Sequence, residues 1–214
     1  MKNRKFTDQE KFWQSDFDKG YIERNLFTNR ELDDLYMKEY GLSRSVMNTR
    51  FLGTLKLNNI LEVGSSVGNQ LALLQSQGHQ NLYGVEIFNV AVAIAQTHTK
   101  GINIIQGSAF DIPFKDDYFD LVFTSGVLIH IAPKDLKKAM REIYRTSKKY
   151  IWGMEYFSEK PQAIDYRGHK DRLWKRDFVQ MYLDLFPNLR LVKREKYKYV
   201  NGNNVDEMFL LKKI

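Results

Sequence analysis

Asn59-Ile60-Leu61-Glu62-Val63-Gly64-Ser65-Ser66-Val67-Gly68-Asn69-Gln70 decides the fold of this chain. The apolar run Ile60, Leu61, Val63 predicts a short buried strand. It breaks at Gly64, and Leu71, Ala72 and Leu74 beyond Gly68 give the buried face of a helix. Strand, small-residue turn and helix together bring a ligand against bare backbone at the positive end of the helix. Glu62 stands where a dinucleotide fingerprint keeps an apolar residue. An acid there disfavours a pyrophosphate and favours a cationic or amine-bearing ligand. S-adenosylmethionine (SAM), which carries an amine and a sulfonium, is the leading candidate.

Working outward, strands and helices alternate from residue 59, the pattern of a parallel sheet covered on both faces. Further strands are expected over 82–87, 102–106, 119–123 and 150–154, with a helix over 90–97. Pro133 sits where a helix's first turn tolerates it, and Leu136, Met140, Ile143 and Tyr144 form that helix's apolar stripe. Residues 156–169 read as irregular, with a helix from about Lys175 to Leu185 after them. Segments 189–200 and 205–211 flank Asn201-Gly202-Asn203-Asn204, whose Asn-Gly pair predicts a hairpin turn.

Residues 1–58 carry no strand signal. A helix is expected over 9–17, with Phe12, Trp13 and Phe17 on one face. Thr28-Asn29-Arg30-Glu31 has the form of a capping box that starts a second helix, ending near Gly41. A third covers 43–57. The fold class is α/β, a Rossmann-like three-layer sandwich. Its mostly parallel sheet closes with an antiparallel C-terminal hairpin and lies under a helical N-terminal lid. Parallel units closing in this way are found in SAM-dependent methyltransferases. One domain is expected: lid 1–58, cofactor-binding core 59–155, substrate segment 156–188 and hairpin 189–214.

At 214 residues the chain can bury a substantial core. No apolar run approaches the roughly 20 residues of a membrane span. Polar residues follow the basic Met1-Lys2-Asn3-Arg4-Lys5, so no signal peptide is expected. The absence of cysteine leaves no disulfide framework or thiolate metal site, which fits a cytoplasmic protein. No tight Asp/His cluster suggests a metal. A net charge of +7 suits nucleic acid, an anionic membrane surface, an anionic small substrate, or solubility alone.

Open α/β sheets bind ligands at their carboxyl edge, so several strand ends have to converge. After the first strand the candidates are Glu62, Gly64, Ser65, Ser66, Gly68 and Asn69. After the second, Glu86 can accept hydrogen bonds from both ribose hydroxyls, with Ile87 beside it. Ser108, Ala109 and Phe110 follow the third strand as an adenine site. Ser125, Gly126 and Val127 follow the fourth, beneath the methionine part. Tyr21 can close the lid, and Arg24 can pair with the cofactor carboxylate. A nicotinamide dehydrogenase is the rival reading. It wants G-x-G-x-x-G, whereas the turn glycines here are Gly64 and Gly68 with Ser66 between them, and Glu62 has no duty in it.

Residues 160–176 hold six Lys or Arg against two Asp, interleaved with Tyr166, His169 and Trp174. Arginine forks suit carboxylate or phosphate, while a solvated basic loop is the bland alternative. Transfer to an oxygen nucleophile needs a base. His130, just beyond strand four, is one candidate, with Glu155 and His169 as others. His130 can equally pack against or cap the Pro133 helix. His79 and His98 read as exposed helix-end residues.

The chain resembles the methylase family associated with pseudaminic acid biosynthesis, within the class I SAM-dependent methyltransferases. The N-terminal matches are Phe12-Trp13, Tyr21 and Arg24-Asn25. Leu61-Glu62-Val63-Gly64, Gly68-Asn69 and Gly84-Val85-Glu86-Ile87 follow, then Gly107-Ser108 with Phe110-Asp111. Phe119-Asp120-Leu121-Val122-Phe123 and Gly126-Val127-Leu128-Ile129-His130-Ile131 come next. Glu155-Tyr156, Tyr166-Arg167-Gly168-His169 and Lys175-Arg176-Asp177-Phe178 complete the set.

The resemblance implies a SAM-dependent methyltransferase that releases S-adenosylhomocysteine. Its acceptor would be a small anionic molecule such as a nonulosonic acid or nucleotide-linked sugar. Tyr156, Tyr166, Arg167 and Arg172 are then the acceptor-binding candidates, and His169 keeps its place as a base. The alternative is a methyltransferase, or a catalytically silent SAM-fold module, acting on RNA. No dedicated RNA-binding domain is present, and the Asn/Asp-Pro-Pro-aromatic motif of amino-methylases is missing after strand four. The chain departs from the pattern at Ser66, where many relatives have glycine, and at Phe88, where a polar residue is expected.

Overall fold

The computed structural model describes residues 5–15, 20–22 and 24–214. A seven-stranded sheet has the order β3-β2-β1-β4-β5-β9-β8. Its strands are β1 Asn59–Val63, β2 Asn81–Glu86, β3 Asn103–Gln106, β4 Phe119–Ser125, β5 Ser147–Tyr156, β8 Leu189–Lys198 and β9 Val205–Lys213. β1 pairs in parallel with both β2 and β4, so the winding reverses beside β1. The carboxyl ends of β1 and β4 therefore flank the crevice that open α/β sheets offer to ligands. β9 runs antiparallel between β5 and β8, which closes the sheet with the expected hairpin.

Successive strand residues face opposite sides of a sheet, and each side here carries its own core. Ile60, Leu121, Phe123 and Trp152 pack to one side, against α3 Arg44–Leu52, α4 Asn69–Ser76 and α5 Asn89–His98. Leu61, Val63 and Val122 pack to the other, against α6 Pro133–Thr146 and α7 Phe178–Leu185. Strands buried on both faces read as unbroken apolar runs, which is why β1 was legible. In α6, Leu136, Ala139, Met140 and Ile143 are buried at helical spacing behind an N-terminal proline.

The N-terminal elements include α1 Asp8–Trp13 and α2 Asn29–Tyr40, followed by α3. Thr28 and Glu31 form the expected capping box, worth about 1 kcal/mol, and Gly41 ends α2 in the left-handed conformation at φ +70°. Thr7 and Glu10 form the same box at α1, a signal the sequence reading passed over. Phe17 lies outside the described residues. No helix among the described residues is long and apolar enough to cross a membrane.

Three segment expectations need correction. α3 ends at Leu52 rather than at 57, because Gly53 caps it and the Asn58 amide is already drawn to Asp120 at 2.8 Å. Residues 158–161 are irregular as expected, but most of the rest of 156–169 is not. β6 Gln162–Tyr166 and β7 His169–Lys175 form an antiparallel hairpin, so Lys175 belongs to a strand, and α7 starts only after the Asp177 cap. Arg167 and Gly168, at φ +52° and +82°, make the hairpin's two-residue turn. Two positive φ values are what a primed turn demands, and an arginine gives little warning of one.

Candidate functional site

Two cavities adjoin at the carboxyl ends of β1 and β4. The first spans about 820 Å³ including its open mouth. Gly64 and Ser66 line it from the β1 turn, and Glu86 and Ile87 from the end of β2. Ser108, Ala109 and Phe110 follow β3 along its wall, and Ser125, Gly126 and Val127 follow β4. These are the strand-end residues that the sequence assigned to a cofactor.

Their local geometry is specific. Gly64 has φ +75°, and a Cβ there would come within 2.6 Å of Val127 Cγ2, so conformation and space both require glycine. Ser66 is also left-handed, at φ +46°, at a cost of roughly 1 kcal/mol for a residue with a Cβ. That conformation aims its amide at Glu86, donating to Oε2 at 2.8 Å, while Phe88 N donates to Oε1 at 2.9 Å. Two backbone donors thus orient the Glu86 carboxylate, and each oxygen keeps accepting capacity for a ribose hydroxyl. Burial raises the Glu86 pKa, and these amides oppose the rise.

The mouth is clasped by α1. Ser108 donates its hydroxyl to the buried Glu10 carboxylate and accepts from Phe110 N at 3.1 Å. Gln9, Glu10 and Trp13 consequently join the lining. The sequence suggested a lid but gave no sign of this clasp, whose partners lie 98 positions apart.

The second cavity spans about 1100 Å³ including its mouth. It shares Tyr21, Gly64, Ser66, Ser125, Gly126 and His130 with the first. Glu62, Ser65 and Asn69 line it alone. Glu62 is 2% exposed, and its Oε2 has no hydrogen-bond partner. Burial pushes its pKa well up, with the Arg44 charge opposing. Arg44, which the sequence reading missed, is fully buried. Its Nε donates to Asn48 and one Nη to the Tyr36 hydroxyl, both at 2.9 Å, and its other Nη has no partner. An unsatisfied carboxylate oxygen at a cavity wall is costly alone and suited to a ligand amine.

His130 lines both cavities. Its Nδ1 lies 2.7 Å from the Arg172 carbonyl oxygen. Burial lowers its pKa to about 4, so the ring is neutral near pH 7. A carbonyl can only accept, which places the proton on Nδ1 and leaves Nε2 as the ring's lone pair. Trp13 and Tyr166 meet the ring edge-on at centroid distances of 4.7 and 4.8 Å.

Several expected residues stand elsewhere. Arg24 is exposed and lines neither cavity. Gly68, at φ +84°, packs α4 instead, since a Cβ would reach Ile104 Cδ1 at 2.8 Å. Asn69 reaches the second cavity but spends its amide on the Asn25 carbonyl and the Phe27 amide. Glu155 is buried below the β4 turn, accepting from Val127 N at 3.2 Å and Ile129 N at 3.3 Å. It lines neither cavity, so it positions that turn and cannot reach a substrate as a base. Burial lifts its pKa to about 7, opposed by hydrogen bonds from Thr124 and the turn amides.

The basic segment is also displaced. His169 is exposed, edge-on to Phe12 at 5.1 Å, and Arg167 is exposed at the hairpin tip. The Arg172 guanidinium sits 4.9 Å over the Phe12 ring. None of the three lines either cavity: the hairpin turns Leu173 inward, leaves Arg167 and His169 exposed, and holds Arg172 half-buried over Phe12 with its Nε unpartnered. Tyr156 and Tyr166 do line the second cavity, joined by the unforeseen Tyr36, Tyr40, Tyr199 and Asp206. Among the described residues no cluster of three His, Asp or Glu could hold a metal ion.

Comparison with known proteins agrees with this architecture. Residues 61–150 match the methyltransferase domain family. An uncharacterized methyltransferase of Bacillus subtilis is 29% identical over 124 residues, covering 54% of this chain and 48% of the relative. The phosphoethanolamine N-methyltransferase of Plasmodium falciparum is 23% identical over 61% of this chain and 53% of its own length. The chain thus spans about half the length of these curated relatives. Among solved structures, the 1,6-didemethyltoxoflavin-N1-methyltransferase of Burkholderia thailandensis, with bound 1,6-didemethyltoxoflavin and S-adenosylhomocysteine, has a TM-score of 0.70. It covers 99% of this chain and 92% of that one at 14% identity. A protein of Pyrococcus horikoshii has a TM-score of 0.68 at 16% identity, covering 98% and 100%. At these identities the structural likeness is one of fold.

Proposed function

We propose that this chain, whose residues 61–150 form a methyltransferase domain, is a SAM-dependent methyltransferase acting on a small molecule. One observation carries the reading. Two adjoining cavities at the sheet's switch point share a rim of Gly64, Ser66, Ser125, Gly126, Tyr21 and His130, with an oriented carboxylate in one and an unsatisfied one in the other.

The residues present suit SAM. Glu86 would take the ribose hydroxyls, and Ile87 with Phe110 offers apolar surface for the adenine. Glu62 Oε2 would accept from the methionine amine. When bound, SAM supplies a methyl group on an electrophilic sulfonium. The protein's part is to bring an acceptor atom in line with that methyl and to exclude water, which can supply much of the rate. Gly64, Ser66, Ser125 and Gly126, on the rim the two cavities share, would hold that methyl group toward the acceptor. The acceptor's proton passes to His130 Nε2, on the one histidine ring that borders both cavities.

On this reading residues 59–155 hold the cofactor, 1–58 cover it, 156–188 flank the acceptor and 189–214 complete the acceptor wall. The family resemblance suggests a sugar-like acceptor, and the tyrosine-lined chamber suits such a scaffold. Its anionic character is another matter, because that expectation depended on Arg167, His169 and Arg172 reaching the chamber. Calorimetry with SAM and S-adenosylhomocysteine tests the reading, and absence of binding to either at millimolar ligand would end it.

A further inference from the structure

The second cavity, taken as the acceptor chamber of the methyltransferase proposed above, also bears on what that acceptor is. The residues that line this cavity and not the first include Tyr36, Tyr40, Tyr156 and Tyr199, together with Asp206. Tyr40 meets Tyr36 at a centroid distance of 5.3 Å and Tyr199 at 4.8 Å, and Tyr156 stands perpendicular to Tyr199 at 6.5 Å. Asp206 is only 5% exposed. Its Oδ2 accepts from the Tyr40 hydroxyl at 2.7 Å and from Tyr199 at 3.4 Å, and the Asn204 amide reaches Oδ1 at 3.4 Å.

The charge balance of the chamber is equally one-sided. Among the described residues its lining contains no lysine or arginine, and with Glu62 given to the cofactor amine its remaining carboxyl is that of Asp206. Two cations, Lys175 and Arg44, stand behind the rings and favour the charged form of Asp206. Lys175 donates to Asn204 and lies 5.5 Å from the Tyr156 ring, outside the lining. Arg44 stands 5.2 Å from the Tyr36 ring and donates to its hydroxyl. Burial lifts the Asp206 pKa to about 6, opposed by the two tyrosine hydroxyls and by these cations.

A buried carboxylate among aromatic rings attracts an ammonium twice, by direct charge and by the negative ring faces. The same surroundings repel a carboxylate or phosphate, with no guanidinium or ammonium on the wall to offset the repulsion. We propose that the acceptor is a small molecule carrying an ammonium group, which rests against Asp206 within the Tyr40, Tyr156 and Tyr199 rings.

The test is calorimetry on the full chain, with and without S-adenosylhomocysteine, using tetramethylammonium and ethanolamine as probes. Glycolate and inorganic phosphate serve as anionic controls. Saturable binding of the ammonium probes is expected, weakened at least about tenfold in Asp206→Asn and in Tyr156→Leu, with cofactor-product affinity retained. Tyr156→Leu keeps the proposal open to refutation should Asp206→Asn fail to fold, which near-UV circular dichroism reports. Ammonium probes that do not bind, or that bind both variants as well as wild type, overturn the proposal, as does tighter binding of phosphate or glycolate. Binding of S-adenosylhomocysteine without the ammonium probes removes only the acceptor class. Ammonium binding in a protein that takes no S-adenosylhomocysteine removes the methyltransferase reading and leaves the cation site.

Discussion

The Nδ1 of His130 lies 2.7 Å from the carbonyl oxygen of Arg172. Through that contact Arg172, expected from the sequence to offer its guanidinium to the acceptor, acts through its backbone and sets a histidine tautomer. His130→Gln should lower kcat about 10²-fold. SAM affinity, measured by calorimetry, should stay close to wild type. Equal turnover in the variant would exclude His130 from proton transfer.

The same histidine gives a stability signature. Its folded pKa, about 4, lies below the ordinary value near 6.5, so the unfolded chain binds the proton first. Its contribution is fully present above about pH 6.5 and is lost as pH falls toward 4. Glu155 works in the opposite direction, since its pKa is raised to about 7 and its contribution fades as pH rises from about 4.5 through 7. The difference in Tm between wild type and His130→Gln should therefore grow between pH 4.5 and 6.5. A constant difference across that window would mean the imidazole titrates normally.

Glu86 joins the β1 turn to the cofactor cavity. Its carboxylate accepts from Ser66 N and Phe88 N, so Glu86→Ala removes a ligand contact and leaves the two amides to find other partners. A hydrogen bond from a ribose hydroxyl to the charged carboxylate is worth about 1.5–3 kcal/mol, which predicts a loss of SAM affinity of at least about tenfold. Calorimetric affinity within a factor of about two of wild type would place the ribose elsewhere.

Ser66 can be read as a strained residue that only lends its amide. Ser66→Gly keeps that amide and relieves the left-handed cost, against the greater chain entropy of glycine in the unfolded state. Stability is expected to rise by up to about 1 kcal/mol with SAM affinity unchanged. Urea denaturation checks the first part, and a clear loss of affinity would show that the serine side chain itself contacts the cofactor.

Arg167 occupies the hairpin tip, away from both cavities. Arg167→Ala should leave KM for the acceptor unchanged, whereas Arg167→Gly, which fits φ +52° without a Cβ, should raise Tm slightly. A many-fold rise in KM for Arg167→Ala would restore the basic hairpin as an acceptor site.

The sequence by itself determined the parallel core and the crevice position, and most of its strand-end candidates line the first cavity. The signals there are local: Ile60 to Val63 read as a buried strand, Gly64 as the break into a small-residue turn, and Glu86 as an acid at a strand end. An open α/β sheet then brings consecutive strand ends together by topology alone, so order along the chain became proximity in space. The capping box at Thr28 and the proline at the start of α6 were legible for the same reason, since each is settled within one helical turn.

The tertiary structure alone decided the second cavity. Tyr40 and Asp206 are 166 positions apart and meet only because α2 docks against the C-terminal hairpin, with Val200 N donating to the Glu39 carbonyl at 2.7 Å. No periodicity or spacing records such a contact. Charge was misleading for a related reason. A basic segment next to the site in sequence is free to turn its charges to water and its Leu173 to the core, because solvating an arginine costs nothing and burying it unpaired costs a great deal. The stretch from Asn59 to Gln70 carried the fold and part of the first cavity's wall in its own residues, while the second cavity depended on which distant side chains the packing could bury.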